Sequence, residues 1–309
     1  MIYAAEDRLP CCTDFTLREL MEAAEKHTVL QSTALLYDTD KSLHFCLGGY
    51  PALMPHEECA EGIRTGQVRD IAVITRVGRA ACFVITEAVG GPRPRFVLSR
   101  AEAQRRCREE YLDRLEPGDV IPCTATHIEP FGVFCDVGCG ISALLPIDCL
   151  SVSRIASPAD RVRTGQPLTC VVRQRDERGR LVLSMKELLG SWQDNADLFR
   201  VGMSVMGIVR SVEDYGVFIE LTPNLAGLAE YTDALSPGDA VSVYIKNILP
   251  QKMKIKLVVL SRLPAPAAPA PLHLFISEGH LDEWVYSCPG ARRLVRTVFS
   301  EEMPARGGS

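Results

Sequence analysis

Apolar and polar residues alternate along this chain in short runs typical of β-strands, and one series of runs occurs twice. Residues 114–134, RLEPGDVIPCTATHIEPFGVF, match residues 198–218, LFRVGMSVMGIVRSVEDYGVF, in the order glycine, strand, turn and aromatic-Gly-Val-Phe. Each copy continues through two short apolar segments and a turn, at Gly165 or Gly238, to a final β-hairpin. Five short strands joined by glycine-rich turns are typical of a small closed β-barrel.

A weaker copy of the same series covers residues 28–100. Its last strand contains FVLS at 96–99, which resembles LVLS at 181–184, and Arg95 precedes the first as Arg180 precedes the second. The chain is therefore predicted to contain three tandem barrels.

Short helices are predicted before and between the barrels. Thr16 and Glu19 form a capping-box pattern at the start of an amphipathic helix, LRELMEAAEKH. Ser99 and Glu102 form another such pattern at the start of a helix that links the first two barrels. The run PAPAAPAP near the C-terminus is typical of a stiff, extended linker.

The repeated aromatic-Gly-Val-Phe segment raises a question about where its rings point. Phe131 precedes Phe134 by three residues, and Tyr215 precedes Phe218 by three. Residues three apart in a regular strand point to opposite faces, because side chains alternate. The glycine after the first ring permits a bulge or tight bend that would bring both rings to one face. The alternative is that both rings are ordinary core residues.

Composition restricts the function classes. The chain has 309 residues, of which 47% are hydrophobic and 24% charged, with a net charge of −5 and a pI near 5.8. This balance argues against a wholly electrostatic nucleic-acid binder but permits a local basic stripe. The sequence has no long apolar run and no secretory signal pattern, and its twelve cysteines show no zinc spacing. We therefore expect a cytoplasmic protein with reduced cysteines, without membrane, metal or cofactor.

The repeats resemble the RNA-binding domain of the ribosomal protein S1 family, a five-stranded barrel of the oligonucleotide/oligosaccharide-binding (OB) fold. The resemblance rests on Gly118, FGVFCDVG, Leu144-Leu145, Gly165-Gln166 and DERGRLVLSMK. It implies a mainly β fold of tandem OB barrels linked by short helices, with a small C-terminal β element. It also implies that the two aromatic rings of each hairpin lie on the RNA face.

The predicted domains follow from this resemblance and the repeat spacing. They are an N-terminal segment with the amphipathic helix (1–27), a degenerate first barrel (28–100), a linker helix (101–113), a second barrel (114–188), a linker (189–197), a third barrel (198–262), a Pro/Ala linker (263–271) and a C-terminal tail (272–309).

Candidate RNA-binding residues come from the resemblance and from the charges beside it. By position the family implies two aromatics in each later barrel, an acid and a base at the second hairpin tip, and one lysine in the third barrel. Bases stack on exposed rings while neighbouring cations contact phosphates. The predicted residues are Phe131, Phe134, Arg173, Arg175, Asp176, Arg180, Tyr215, Phe218, Lys252, Lys254 and Lys256. Pro146 and Glu230 stand where the family often has a histidine.

The first repeat has no aromatic-Gly-x-aromatic pair, because Tyr37 and Phe45 are too far apart to form one. It is therefore predicted to lack the RNA site. In the ribosomal protein S1 family the N-terminal helix and first domains attach the protein to the ribosome. The resemblance implies the same role for the helix at 17–27 and the first barrel.

The chain shows no catalytic motif, such as a nucleophile elbow, a phosphate-binding loop or a His-Glu-x-x-His helix. The sequence thus predicts a non-catalytic protein that binds single-stranded mRNA at the small ribosomal subunit. Two alternatives stay open: a regulatory or RNA-decay accessory protein that does not bind ribosomes, and a scaffold whose barrels bind only proteins.

Overall fold

The structure is a computed structural model that describes residues 3–264 and 272–299. It confirms the mainly β fold, with closed five-stranded barrels and a small C-terminal strand pair. The chain divides into two compact units: Met1–Leu115 with Asp136–Ser142, and Glu116–Cys135 with Ala143–Ser309. Most of the predicted Pro/Ala linker, from residue 265 to 271, and the end of the predicted tail lie outside the described residues.

Two of the four α-helices in the described residues begin at the predicted N-cap residues, Thr16 and Ser99, and a third begins at another capping box, Ser191 with Asp194. The helices are α1 (Leu17–Glu25), α2 (Ile71–Ile74), α3 (Arg100–Glu110) and α4 (Trp192–Ala196). The Thr16 hydroxyl accepts the Glu19 N–H, and the Glu19 carboxylate accepts the Thr16 N–H in return. These bonds satisfy backbone donors that the first turn of α1 leaves without partners. Ser99 accepts the Glu102 N–H at the start of α3.

The first copy is a six-stranded sheet in the order β1-β5-β6-β4-β3-β2. Its strands are β1 (Leu30–Thr33), β2 (Leu36–Tyr37), β3 (Leu43–Leu47), β4 (Tyr50–Met54), β5 (Ala80–Val89) and β6 (Arg95–Ser99). The two end strands, β1 and β2, are halves of one run that is interrupted at Ala34 and Leu35. β1 pairs with β5, and β2 pairs with β3. The order is therefore that of a five-stranded ring whose first strand is broken.

The second copy is a closed barrel in the order β7-β8-β9-β11-β10. Its strands are β7 (Val120–Glu129), β8 (Gly132–Asp136), β9 (Ser142–Pro146), β10 (Pro167–Arg175) and β11 (Leu181–Ser184). Alternate residues such as Ile121, Val133 and Leu183 are buried inside it. This period of two explains why the alternation in the sequence predicts the strands.

The third copy repeats that order with longer strands. They are β12 (Ser204–Glu213), β13 (Gly216–Thr222), β14 (Leu225–Ala229), β15 (Ala240–Leu249) and β16 (Lys254–Leu263). In each of the three copies the third strand of the ring pairs parallel to the last, at β4–β6, β9–β11 and β14–β16. The three copies therefore share one topology.

The C-terminal segment forms the strand pair β17 (Glu283–Val285) and β18 (Arg296–Val298). Trp284, Tyr286 and Phe299 are buried in the core of the third barrel, together with Trp192 of α4. The Tyr286 hydroxyl donates to the Asn224 carbonyl at 2.7 Å. Residues 272–299 therefore belong to the second compact unit.

The second and third barrels meet within this unit at a polar contact that we call the seam, formed by residues 151–161 of one barrel and 220–224 of the other. Glu220 on β13 is 7% exposed and accepts hydrogen bonds from Arg161, at 2.5 Å, and from Arg210, at 2.8 Å. Asn224 is fully buried; its side chain accepts the Val152 N–H and donates to two backbone carbonyls. Buried polar groups that are satisfied in this way fix one relative placement of the two barrels.

Within the part of the chain that the structure describes, no helix is long and apolar enough to span a membrane.

Candidate nucleic-acid interface

The predicted aromatic pair of the second barrel forms one exposed surface. Phe131 lies in the turn before β8 and Phe134 lies in the strand. Their ring centroids are 6.0 Å apart with the planes at 90°. Phe131 is 55% exposed and is therefore not a core residue. Its open ring face is available for stacking on a base.

The third barrel repeats this geometry. Tyr215 lies in the turn before β13, and its ring centroid is 6.0 Å from that of Phe218 with the planes at 87°. Tyr215 is 70% exposed. The two barrels thus present the same edge-to-face pair of rings.

The glycine between the rings has a different role from the one predicted. The two rings share a face because the first one lies in the turn, outside the alternation of the strand. In the third barrel the register shift lies on the partner strand, between Val209 and Ser211. A Cβ at Gly132 would lie 2.6 Å from the Leu145 carbonyl oxygen, and one at Gly216 would lie 2.5 Å from that of Ala229. Glycine is therefore needed for close approach of the next strand rather than for a bulge.

Asp176 and Arg180 lie together at the tip of the β10–β11 hairpin. The Asp176 carboxylate accepts the Arg180 backbone N–H at 2.9 Å and the Arg180 Nε–H at 2.7 Å. The backbone hydrogen bond from Arg180, with the smaller contribution of its guanidinium, holds the pKa of Asp176 below its ordinary value. In this arrangement Asp176 orients Arg180, and the exposed guanidinium keeps donors for a phosphate.

The other two predicted arginines of this hairpin differ from each other. Arg173 lies at a register shift of β10, and its guanidinium is 2.7 Å from Cys149 Sγ and 4.0 Å from the Asp148 carboxylate. It is thus held by the second barrel itself. Arg175 is exposed near the hairpin tip, where it contacts the Gly179 carbonyl at 3.5 Å.

The lysines of the third barrel lie on and beside the last strand. Lys254 and Lys256 are exposed on β16, while the alternating residues Ile255 and Leu257 are buried. Lys256 pairs with Leu228, which in turn pairs with Phe218 on β13. Lys256 therefore lies on the same outer face as the aromatic pair. Lys252 lies in the short 3₁₀ turn before the strand.

The strand register decides which lysine corresponds to Arg180. In the second barrel Val182 pairs with β9, and in the third barrel Lys256 makes the matching pair with β14. Arg180 and Lys254 each lie two residues before that pair. They therefore occupy equivalent positions.

The first copy carries other residues on the matching face. His44 pairs with Leu53, which pairs with Val97, so His44 lies where Phe134 and Phe218 lie in the later copies. Lys41, three residues earlier, matches Phe131. Both are bound to acids: His44 to Asp38 at 2.5 Å, and Lys41 to Asp70 at 2.6 Å.

The two aromatics that the sequence offered in the first copy do not form a pair. Phe45 is buried at 3% exposure in the core of the first copy, and Tyr37 is half-buried on β2. Arg95 lies two residues before Val97 and so matches Arg180 by register. The first copy thus has a cation of this face but no stacking pair.

Sequence reasoning missed His127. Its ring lies 6.5 Å from that of Phe134 at an interplanar angle of 23°, and its Nε2 lies 2.8 Å from Glu129. The signal was its place on β7, one hairpin turn before the aromatic pair. His127 extends the stacking surface of the second barrel.

All of the cysteines except Cys11 and Cys46 are buried. Burial raises the pKa of the Cys59 thiol to about 12, which makes it a poor nucleophile. Among the described residues no cluster of His, Cys, Asp or Glu has the arrangement of a metal site.

Comparison with known proteins identifies a domain family that the second barrel matches. Residues 114–186 match the S1 RNA binding domain. The chain is 31% identical over 180 residues to the small ribosomal subunit protein bS1 of Leuconostoc lactis, a match that covers 53% of this chain and 42% of that protein. It is 29% identical over 186 residues to bS1 of Rhizobium meliloti, covering 56% and 32%.

A crystal structure of a multidomain protein with nucleic acid binding domains from Streptococcus pneumoniae is also similar. It is 14% identical with a TM-score of 0.27, covering 76% of this chain and 74% of that one. The chain spans less than half the length of the two bS1 relatives. Residues 114–186 match the S1 RNA binding domain, in a chain that is similar to ribosomal protein bS1 over about half of its length.

Proposed function

We propose that this protein binds single-stranded RNA through its second and third barrels, without catalysing a reaction. The proposed ligand is mRNA, held at the small ribosomal subunit during translation in the cytoplasm. The alternatives of a ribosome-free regulator and of a protein scaffold have no specific observation in their favour.

One observation carries the proposal. Two barrels of low sequence identity present the same edge-to-face aromatic pair, with centroids 6.0 Å apart in both. Both place a cation at the equivalent position at the start of the last strand, Arg180 or Lys254. Exposed rings with adjacent cations suit the faces of bases and the phosphates between them, whatever the base sequence. We therefore expect weak sequence preference.

The first copy and α1 would have a separate role. Because Lys41 and His44 replace the aromatic pair and are bound to acids, this copy is not expected to stack bases. We propose that α1 and the first copy attach the protein to the small ribosomal subunit. The similarity to bS1 supports this placement.

The aromatic surface is tested by the double variant F131A/F134A. Two lost stacks of roughly 1–3 kcal/mol each should weaken binding of a single-stranded oligouridine more than tenfold. Because Phe131 is exposed, the melting temperature should fall by only a few degrees. The matched control is K41A/H44A in the first copy, which should change RNA affinity less than twofold. Fluorescence anisotropy and thermal melting give both readouts.

Equal losses of affinity in the two variants would contradict the assigned surface. Unfolding of F131A/F134A would instead identify the rings as core residues. Co-sedimentation with small subunits, before and after a high-salt wash, tests the ribosomal role with the full chain. A protein that binds oligouridine but never sediments with the subunit would support the ribosome-free alternative.

A further inference from the structure

Each aromatic pair lies on a segment of its own barrel that leads to the seam. On β13, Phe218 and Glu220 are two residues apart and therefore project from the same outer face of the strand. Phe218 belongs to the aromatic pair, and Glu220 belongs to the seam. In the second barrel the Phe131 carbonyl accepts the Ile147 N–H at 2.9 Å. From Ile147 the chain runs directly to Ser151, the first residue of the seam.

The seam contains one exposed arginine, Arg154, and one buried one, Arg161. Arg161 and the neighbouring Arg210 on β12 are 3% and 12% exposed at their side chains, and both are bound to Glu220. Arg154 is exposed, and within residues 3–264 and 272–299 its side chain makes no hydrogen bond or ion pair. Its position is nonetheless fixed, because the N–H of Ser153 before it donates to the Pro223 carbonyl at 3.0 Å.

We propose that one continuous strand of RNA occupies both barrels, and that Arg154 holds a phosphate of the nucleotides that cross the seam. This inference rests on the proposed function. It adds the length of the ligand, which must be an RNA strand that reaches both aromatic pairs, and it names Arg154 as a residue that contacts the RNA backbone. A guanidinium whose donors have no protein partner is suited to a phosphate.

The fixed seam strengthens the binding of an RNA strand to a second barrel after the first barrel has bound it. Once one barrel has bound, the other meets the same strand at a high effective concentration, provided that the barrels do not move apart. The buried hydrogen bonds of Glu220 and Asn224 keep them together. A long strand should therefore bind far more tightly than a strand that fills one barrel.

The test compares oligouridines of about 5 and about 16 nucleotides, since one OB barrel takes about 4–16. In the wild-type chain the longer strand should bind at least tenfold more tightly. Arg154→Ala should weaken the longer strand about three- to tenfold and leave the shorter within twofold. It should also reduce the dependence of log K on log salt by about 0.7, the value for one phosphate contact on a single strand. Arg154→Lys should restore the salt dependence.

Arg200→Ala is the matched control, because Arg200 is an exposed arginine of the same unit that lies before β12 and outside the seam. It should leave both affinities unchanged. Equal effects of the Arg154 and Arg200 variants, or equal affinity of the wild type for both lengths, would overturn the inference. Absence of binding to either length by the wild type would instead refute the proposed function.

Discussion

The first copy and the two later copies share a strand order but not a surface. In the later copies, the turn before the second strand of the ring carries an exposed ring, Phe131 or Tyr215, in contact with a second ring on the strand. In the first copy the matching positions hold Lys41 and His44, each bound to an acid. The comparison shows that an OB barrel keeps its core while the outer face is exchanged, because residues on that face do not pack inside the barrel.

A second contrast concerns where the charges lie. In the first copy the pair of Lys41 with Asp70 is about half exposed at both side chains. In the third, Glu220 is buried between Arg161 and Arg210 at the seam. Exposed pairs contribute little to stability, whereas removing one partner of a buried pair leaves an uncompensated charge. The same kind of contact therefore has different consequences in the two copies.

The largest expected effect tests this contrast. Glu220→Ala should reduce the free energy of unfolding by about 3–5 kcal/mol, because the buried Arg161 and Arg210 lose their shared carboxylate. The Ser151 hydroxyl and the more distant Asp160 remain as their acceptors.

Asp70→Ala should cost less than about 1 kcal/mol, since its partner Lys41 is exposed and its contact with His56 is longer, at 3.3 Å. Urea unfolding of the two variants measures both values. Similar losses would show that the seam is as accessible to water as the surface of the first copy.

A smaller effect is expected from pH at Asp136, the position in the second barrel that matches Glu220. Burial, followed by the charge of Glu6, raises the pKa of Asp136 from 3.8 to about 6. Because the folded state binds the proton more tightly than the unfolded state, stability should rise as pH falls from about 7 to about 4. The stability that wild type gains as the pH falls, and that Asp136→Asn lacks, should approach about 3 kcal/mol, at 1.36 kcal/mol for each unit of pKa.

The free energy of unfolding should be measured against pH for wild type and for Asp136→Asn. Subtracting one profile from the other removes the titrations that the two proteins share. Arg100 and Arg76 bind Glu6 and hold its pKa below the ordinary value despite its burial. The interpretation fails if wild type and Asp136→Asn have parallel stability profiles between pH 4 and 7.

The smallest effect sharpens the comparison of the last strands. The position that faces the aromatic surface is Val97, Val182 or Lys256 in the three copies. Lys256→Val should weaken binding of a single-stranded oligonucleotide about two- to fivefold, and Val182→Lys should strengthen it to a similar degree. Each should change the salt dependence by about 0.7 in opposite directions. Anisotropy titrations at several salt concentrations measure this, and unchanged slopes would remove Lys256 from the interface.

The repeat pattern was sufficient to predict the strands and the aromatic pairs, but not the reason for their geometry. Alternation fixes which residues are inside a barrel, so buried residues such as Val133 and Leu183 could be assigned. The role of Gly132 depends on the Leu145 carbonyl of a strand that is distant in sequence. His127 was missed because only strand pairing brings it beside Phe134.

By itself, the sequence determined the mainly β class, the three copies, the helix starts at Thr16 and Ser99 and the absence of an aromatic pair in the first copy. These properties depend on near neighbours and on period, which a single chain displays directly. Only the tertiary structure decided the match of Lys254 to Arg180, the burial of Glu220 at the seam and the burial of Trp284 and Trp192 in one core. Such relations join segments far apart in the chain, and their free energy comes from burial and hydrogen bonds that exist only after folding.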